Sequence, residues 1–186
     1  MPISSTSLRS VRLALVVGTL GAPSVAPANG FSAAVSGPFT YAYLAAGLAS
    51  PLLRDGRAGR ERSLRTLDAL GSTFLLTEGL KSITRERRPD GSDLQSFPSE
   101  HTSLAFTVAT MQAQFHPREA VYWYLGATLI GASRIDLRKH YGHDVLAGAA
   151  LGFGVARLEL SLPRGLILQP LIGDRGQMGL MLSGRF

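Results

Sequence analysis

The sequence predicts an all-α protein, a helical bundle with a short β-hairpin at its C-terminal end. Three observations predict it. Apolar residues recur at helical spacing in several stretches, turn residues cluster between those stretches, and the pattern changes to alternation only after Arg164. The composition agrees: 186 residues, 45% hydrophobic and 17% charged, suit one folded domain and exclude a disordered chain. There are no cysteines, which excludes disulfide scaffolds, thiolate metal sites and thiol catalysis. The formal net charge of +6 comes from dispersed basic residues with no reading element, so no nucleic-acid partner is expected.

Residues 1–28 read as a signal peptide. Arg9 and Arg12 precede the uncharged run Leu13 to Leu20, and Ala26-Pro27-Ala28 supplies a small-residue cleavage site. The run is too short to cross ~30 Å of hydrocarbon, and Gly21 and Pro23 interrupt it. The mature domain is therefore 29–186, exported across the inner membrane to the periplasm. Within it, Gly37 and Pro38 mark a loop that leads into a helix at 39–50, and Asp55-Gly56 and Ala58-Gly59 mark a turn.

Leu64, Leu67, Leu70, Phe74, Leu75 and Ile83 then predict a helix over 61–83, with Arg65 and Asp68 on its other face. Two prolines and a glycine between Arg85 and Ser99 predict a loop. Ser99 is a candidate N-cap for a helix over 100–115, ended by Pro117. Helices at 120–133 and 143–160 follow. Gly148, Gly152 and Ala156 put a stripe of small residues on the last of these, which predicts close helix contact in the middle of the bundle. Residues 164–186 read as a hairpin turning at Gly173 to Gly176.

Three short stretches carry chemistry together. Lys81 is followed, after six residues, by Arg88-Pro89; next comes Pro98-Ser99-Glu100-His101; then Ser133-Arg134, His140 and Asp144. Lys81, Arg88 and Arg134 are three cations, and the arginine fork matches phosphoryl oxygens two at a time. Ser99 and the free N–H groups opening helix 100–115 make an anion cradle. His140 and Asp144 stand at i and i+4, so the carboxylate can hold one ring nitrogen and leave the other to attack. His101, at the edge of the cradle, is the candidate general acid.

These motifs, K-x6-RP, PSxH and SR-x5-H-x3-D in this order, resemble the type 2 phosphatidic acid phosphatase superfamily. That group includes lipid phosphatases, bacterial acid phosphatases and vanadium haloperoxidases. The resemblance implies a helical bundle of that type with its catalytic core at about 61–160. It also implies a phosphatase acting on phosphomonoesters or diphosphates, including those of lipids. In that reading Lys81, Arg88, Ser99, Glu100 and Arg134 bind the phosphoryl group, and His101 protonates the leaving oxygen. His140 forms a phosphohistidine, and Asp144 orients it. No metal and no cofactor is implied. The alternatives are a vanadium-dependent haloperoxidase and a non-catalytic anion-binding module.

Two departures bear on substrate preference rather than on the reaction: Glu100 stands where glycine is usual, and only eight residues separate Pro89 from Pro98. His116 reads as solvent-facing. His143 beside His140 and Asp144 lacks a further ligand at suitable spacing, so no metal site is expected there. The charge-free runs Thr102–Phe115, Ala120–Ser133 and Val145–Ala156 hold 14, 14 and 12 residues. At ~1.5 Å per residue they fall short of ~30 Å. The expectation is a secreted soluble domain or one in peripheral membrane contact, with an integral protein as the alternative.

Overall fold

The computed structural model describes residues 30–163, Gly165 and Leu166, and the backbone of 168–172 and 178–182. The segment read as a signal peptide, the turn at Gly173 to Gly176 and the terminal residues lie outside them. Six α-helices are described: α1 Gly30–Ala34, α2 Thr40–Arg54, α3 Gly59–Thr84, α4 Glu100–Phe115, α5 Ala120–Asp136 and α6 Gly142–Ser161. The protein is an all-α bundle. The strands β1 Leu168–Ile172 and β2 Met178–Leu182 pair antiparallel, with Pro170 opposite Leu180, and β1 runs beside α3.

Residues 31–38, read as a loop, are helical. A π-turn over Val35–Phe39 carries Pro38 and runs directly into α2. Pro38 has no N–H to bond back along the helix, and it is around this residue that the run departs from α to π geometry. Pro51 likewise sits inside α2.

The face assignment of α3 is reversed. Leu67, Phe74, Leu75 and Ile83 are exposed, Ile83 by 79%, while Thr66, Asp68, Ala69, Thr73, Thr77 and Lys81 are buried. The reason is how α3 meets its neighbours. Thr73 and Thr107 hydroxyls bond at 2.8 Å, Thr77 and Ser103 at 3.0 Å, and Thr107 donates to the Gly152 carbonyl at 3.3 Å. Short hydroxyl side chains let backbones approach and satisfy one another's polar atoms.

The small-residue stripe of α6 works in the same way, but the central helix is α4, which packs against α2, α3, α5 and α6. A Cβ on Gly148 would strike the Ser99 carbonyl, and one on Gly152 the Ser103 carbonyl. These glycines seat α6 against α4 at the end of the bundle where the motif residues gather. At the opposite end His116 is not solvent-facing. Its Nε2 pairs with Asp55 Oδ1 at 2.8 Å, tying the α2–α3 turn to the end of α4.

Candidate active site

Lys81 lies in the last turn of α3, buried to 5% exposure. Its ammonium donates to Glu78 Oε1 at 3.0 Å and to Glu100 Oε2 at 2.9 Å. After α3, Arg85 takes a left-handed conformation (φ 48°) and the chain enters the 85–98 loop. The loop is pinned rather than free. Arg88 N–H donates to the Asp93 carbonyl, Ser96 N–H to Glu86, and Asp90 N–H to Arg138. Asp90 also holds Lys139 at 2.5 Å, which keeps its carboxyl well below the usual range. Arg88 Nε donates to Asp93 Oδ1 at 2.6 Å.

Ser99 occupies the N-cap position of α4 with extended backbone angles, but its hydroxyl pairs with Thr102 Oγ1 at 2.9 Å instead of capping a backbone N–H. Its own N–H donates to the Asp144 carbonyl at 3.1 Å, joining α4 to α6. At the end of α5, Arg138 turns left-handed (φ 54°), and the N–H groups of Lys139 and His140 return to the Arg134 carbonyl. This hook swings His140 back over Arg134. The Arg134 guanidinium donates to Ser36 Oγ, from the π-turn before α2. Its Nε is buried and, among the described residues, has no hydrogen-bond partner.

His140 is 2% exposed. Its Nδ1 lies 2.7 Å from the Ser96 carbonyl, which fixes the proton on Nδ1, and its Nε2 accepts from Arg88 Nη1 at 3.3 Å. The orienting contact expected from Asp144 is therefore corrected. Asp144 Oδ2 stands 3.6 Å from Nδ1 because Ser96 Oγ, at 2.5 Å, and Tyr141 N–H, at 2.8 Å, already occupy it. Asp144 positions the ring through Ser96, and the carbonyl of Ser96 holds it directly. Ser36 and Ser96 were invisible to sequence reasoning, since a loop carbonyl or a lone serine hydroxyl has no signature.

The two motif histidines feel the same three cations. Burial lowers His101 to about 3, helped by the charges of Arg134, Lys81 and Arg88. Burial and the charges of Arg134, Arg88 and Lys81 lower His140 to about 3. Burial and the neighbouring Arg88 bring Arg134 down to about 10. Three cations thus surround two neutral imidazoles; Glu78 and Glu100 share Lys81 and Asp93 holds Arg88, while His140 presents an unprotonated Nε2 to Arg88. Beside Lys81, a cavity of about 420 Å³ opens between Glu78, Arg85, Asp93 and Gln95.

The profile of the PAP2 superfamily matches residues 64–166, more than half of the chain and all eight candidate residues. The chain belongs to the PAP2 superfamily. Among its PAP2 relatives, the lipid A 1-phosphatase of Porphyromonas gingivalis is 38% identical over 116 residues, covering 55% of this chain and 25% of that protein. The bacitracin transport permease protein BcrC of Bacillus licheniformis is 44% identical over 57 residues, covering 31% and 28%. The chain thus spans about a quarter of the length of these curated relatives. Of solved structures, LpxE of Aquifex aeolicus superposes with a TM-score of 0.55 at 24% identity, over 75% of this chain and 98% of that one. The first transmembrane PAP2-type phosphatidylglycerolphosphate phosphatase from Bacillus subtilis does so with 0.52 at 26% identity, over 69% and 71%.

Proposed function

We propose that this PAP2-superfamily protein is a metal-independent phosphatase that removes the phosphoryl group of a phosphorylated lipid through a phosphohistidine intermediate. The observation that carries the reading is His140. Its Nδ1 proton is taken up by the Ser96 carbonyl, so the Nε2 lone pair faces Arg88 among the three cations. Relatives named as lipid A 1-phosphatase and phosphatidylglycerolphosphate phosphatase support the substrate class.

In this mechanism Lys81, Arg88 and Arg134 take the phosphoryl oxygens, with Ser99 and the backbone N–H of Glu100 at the start of α4 completing the cradle. His140 Nε2 attacks phosphorus, a P–N bond forms and the P–O bond to the lipid breaks. The departing oxygen takes a proton from His101 and leaves as an alcohol. Water then attacks the phosphohistidine and gives a proton back to His101. The P–N bond breaks, and His140 is free with inorganic phosphate as product. Asp144 and Ser96 hold the imidazole and offset the charge it gains while phosphorylated.

The surface supports a membrane-associated location. Val121, Leu125 and Leu129 form an exposed stripe on α5, Leu146 and Phe153 lie exposed on α6, and α3 adds Leu67, Phe74 and Leu75. Among the described residues no helix is long and apolar enough to cross a membrane. The protein is membrane-associated through these faces, with residues 1–28 exporting it to the periplasmic side.

Rapid quench in alkaline detergent with a phosphorus-labelled lipid phosphate tests the chemistry. One label per chain, stable to base and labile to acid, is expected, and His140→Ala should abolish both label and turnover. Turnover retained by His140→Ala would overturn the mechanism.

A further inference from the structure

We propose that Glu86, His143 and Asp144 form a binding site for one divalent transition-metal ion of the zinc class, on the side of Asp144 turned away from His140. The loop that carries Arg88 brings Glu86 to the start of α6, which supplies the third ligand that spacing alone did not reveal. Glu86 Oε1 lies 2.9 Å from His143 Nε2, and Asp144 Oδ1 lies 3.1 Å from the same nitrogen. All three atoms fall within 4.8 Å of one another.

These separations suit a metal. Tetrahedral zinc with bonds of ~2.0–2.2 Å puts ligand atoms ~3.3–3.6 Å apart. That is slightly more than the two separations from His143 Nε2, a difference that a small outward movement of the exposed His143 and half-buried Glu86 side chains supplies. One imidazole with two carboxylates is a borderline nitrogen and oxygen donor set, which favours zinc over the all-oxygen preference of calcium or magnesium.

The second observation is Asp144 itself. Its carboxylate is fully buried, and the two oxygens divide the work unequally. Oδ2 accepts from Ser96 and Tyr141, whereas Oδ1 has no hydrogen-bond partner. A buried carboxylate oxygen left unserved costs on the order of 1–3 kcal/mol or more, and native structures normally supply a partner. The single Nε2 proton of His143 does not serve Oδ1, because that hydrogen bond goes to Glu86. With the proton on Nδ1 instead, the Nε2 lone pair stands beside two carboxylate oxygens, and a bound cation serves all three.

The ring is also held ready. His143 stacks on Tyr141 with centroids 5.3 Å apart and planes 8° from parallel, lies 6.1 Å from the Phe97 ring, and keeps its side chain 58% exposed. Asp144 is fixed by the first turn of α6. Two of the three ligands are therefore preorganised, and Glu86, half-buried on the loop, completes the set.

Isothermal titration of zinc into the metal-stripped full-length protein tests the site, with cobalt as the spectroscopic probe. One equivalent per chain is expected, with visible cobalt bands of a nitrogen and oxygen site. His143→Ala and Glu86→Gln should each weaken binding by at least about tenfold. Both positions reach the surface, so both variants should fold, which circular dichroism checks, and His143→Gln repeats the test with a side chain closer in size. His116→Ala, whose imidazole pairs with Asp55 at the far end of the bundle, should leave the titration unchanged. No saturable binding, or binding that survives both ligand variants, or loss of binding in His116→Ala, would overturn the proposal.

Discussion

His101 carries the sharpest constraint on how the proposed reaction obtains its proton. Held at about 3, it is neutral at pH 7, first because it is buried and then because Arg134, Lys81 and Arg88 surround it. An acid catalyst must nevertheless be protonated when the leaving oxygen departs. A phosphate dianion among those cations cancels the charges that depress His101, so protein and substrate together need one proton that the free site lacks. We expect kcat/KM on an alkyl phosphate to fall about tenfold per pH unit above the second phosphate pKa, near 6. Raising the pH removes the required proton, whichever partner carries it, so the fall is toward alkali. His101→Ala should cost about 10²–10⁴-fold on an alkyl phosphate and far less on p-nitrophenyl phosphate, whose phenolate leaves unprotonated. Equal losses on both substrates would remove the general-acid role.

At the scale of elements, the helices after Gly59 were legible because their turn residues fall between them and their lengths match the apolar spacing. Their observed ends lie within a few residues of the expected ones. The helical stretch 31–38 was not legible, because Gly37 and Pro38 look like breakers when neighbouring helices are out of sight. The orientation of α3 was not legible for a different reason. Period 3.6 locates an apolar stripe, but whether that stripe faces a core or the surroundings depends on what lies outside the protein. The site was legible as a residue set, since three motifs at fixed spacing hold all eight side chains. What holds those side chains came from segments without any signature: the Ser96 carbonyl, the Ser36 hydroxyl and Glu86.

The α4–α6 contact gives an element-scale test. Gly152→Ala should lower stability by about 1–3 kcal/mol, because its Cβ would drive α6 off the Ser103 carbonyl. Gly154→Ala, where a Cβ meets nothing within 4 Å, should be neutral or stabilising by about 0.5–1 kcal/mol. Thermal unfolding compares the two, and similar losses would show that the close approach is not what fixes α6.

Among the described residues, the molecule sets a row of buried hydroxyls beside a small apolar core around Val108 and Ile130, and leaves many leucines outside. Exposed apolar residues alone are ordinary. Their pairing with a buried row of Thr66, Ser72, Thr73, Thr77, Ser103 and Thr107 is not. Such an interior gains little from expelling water, so the apolar exterior needs an apolar neighbour to make burial favourable. We expect the protein to float with liposomes and to need detergent in solution. Replacing Leu75, Leu125 and Phe153 together by serine should lower liposome binding severalfold while turnover of a soluble phosphate persists. A wild-type protein that stays in the aqueous fraction would contradict this surface reading.

The grip of two carboxylates on Lys81 has a consequence for the end of the catalytic cycle. Glu78 and Glu100 occupy the ammonium before any substrate arrives. A bound phosphoryl group must share Lys81 with them, and after hydrolysis they compete with inorganic phosphate for it. Being tethered, they act at a high effective concentration that free phosphate in the surroundings must match. We expect Glu100 to act as a built-in displacing anion that limits product inhibition as phosphate accumulates. Glu100→Gln should make phosphate a several-fold stronger competitive inhibitor while the chemical step survives. An inhibition constant that stays the same or rises would mean that the carboxylate has no part in clearing the site.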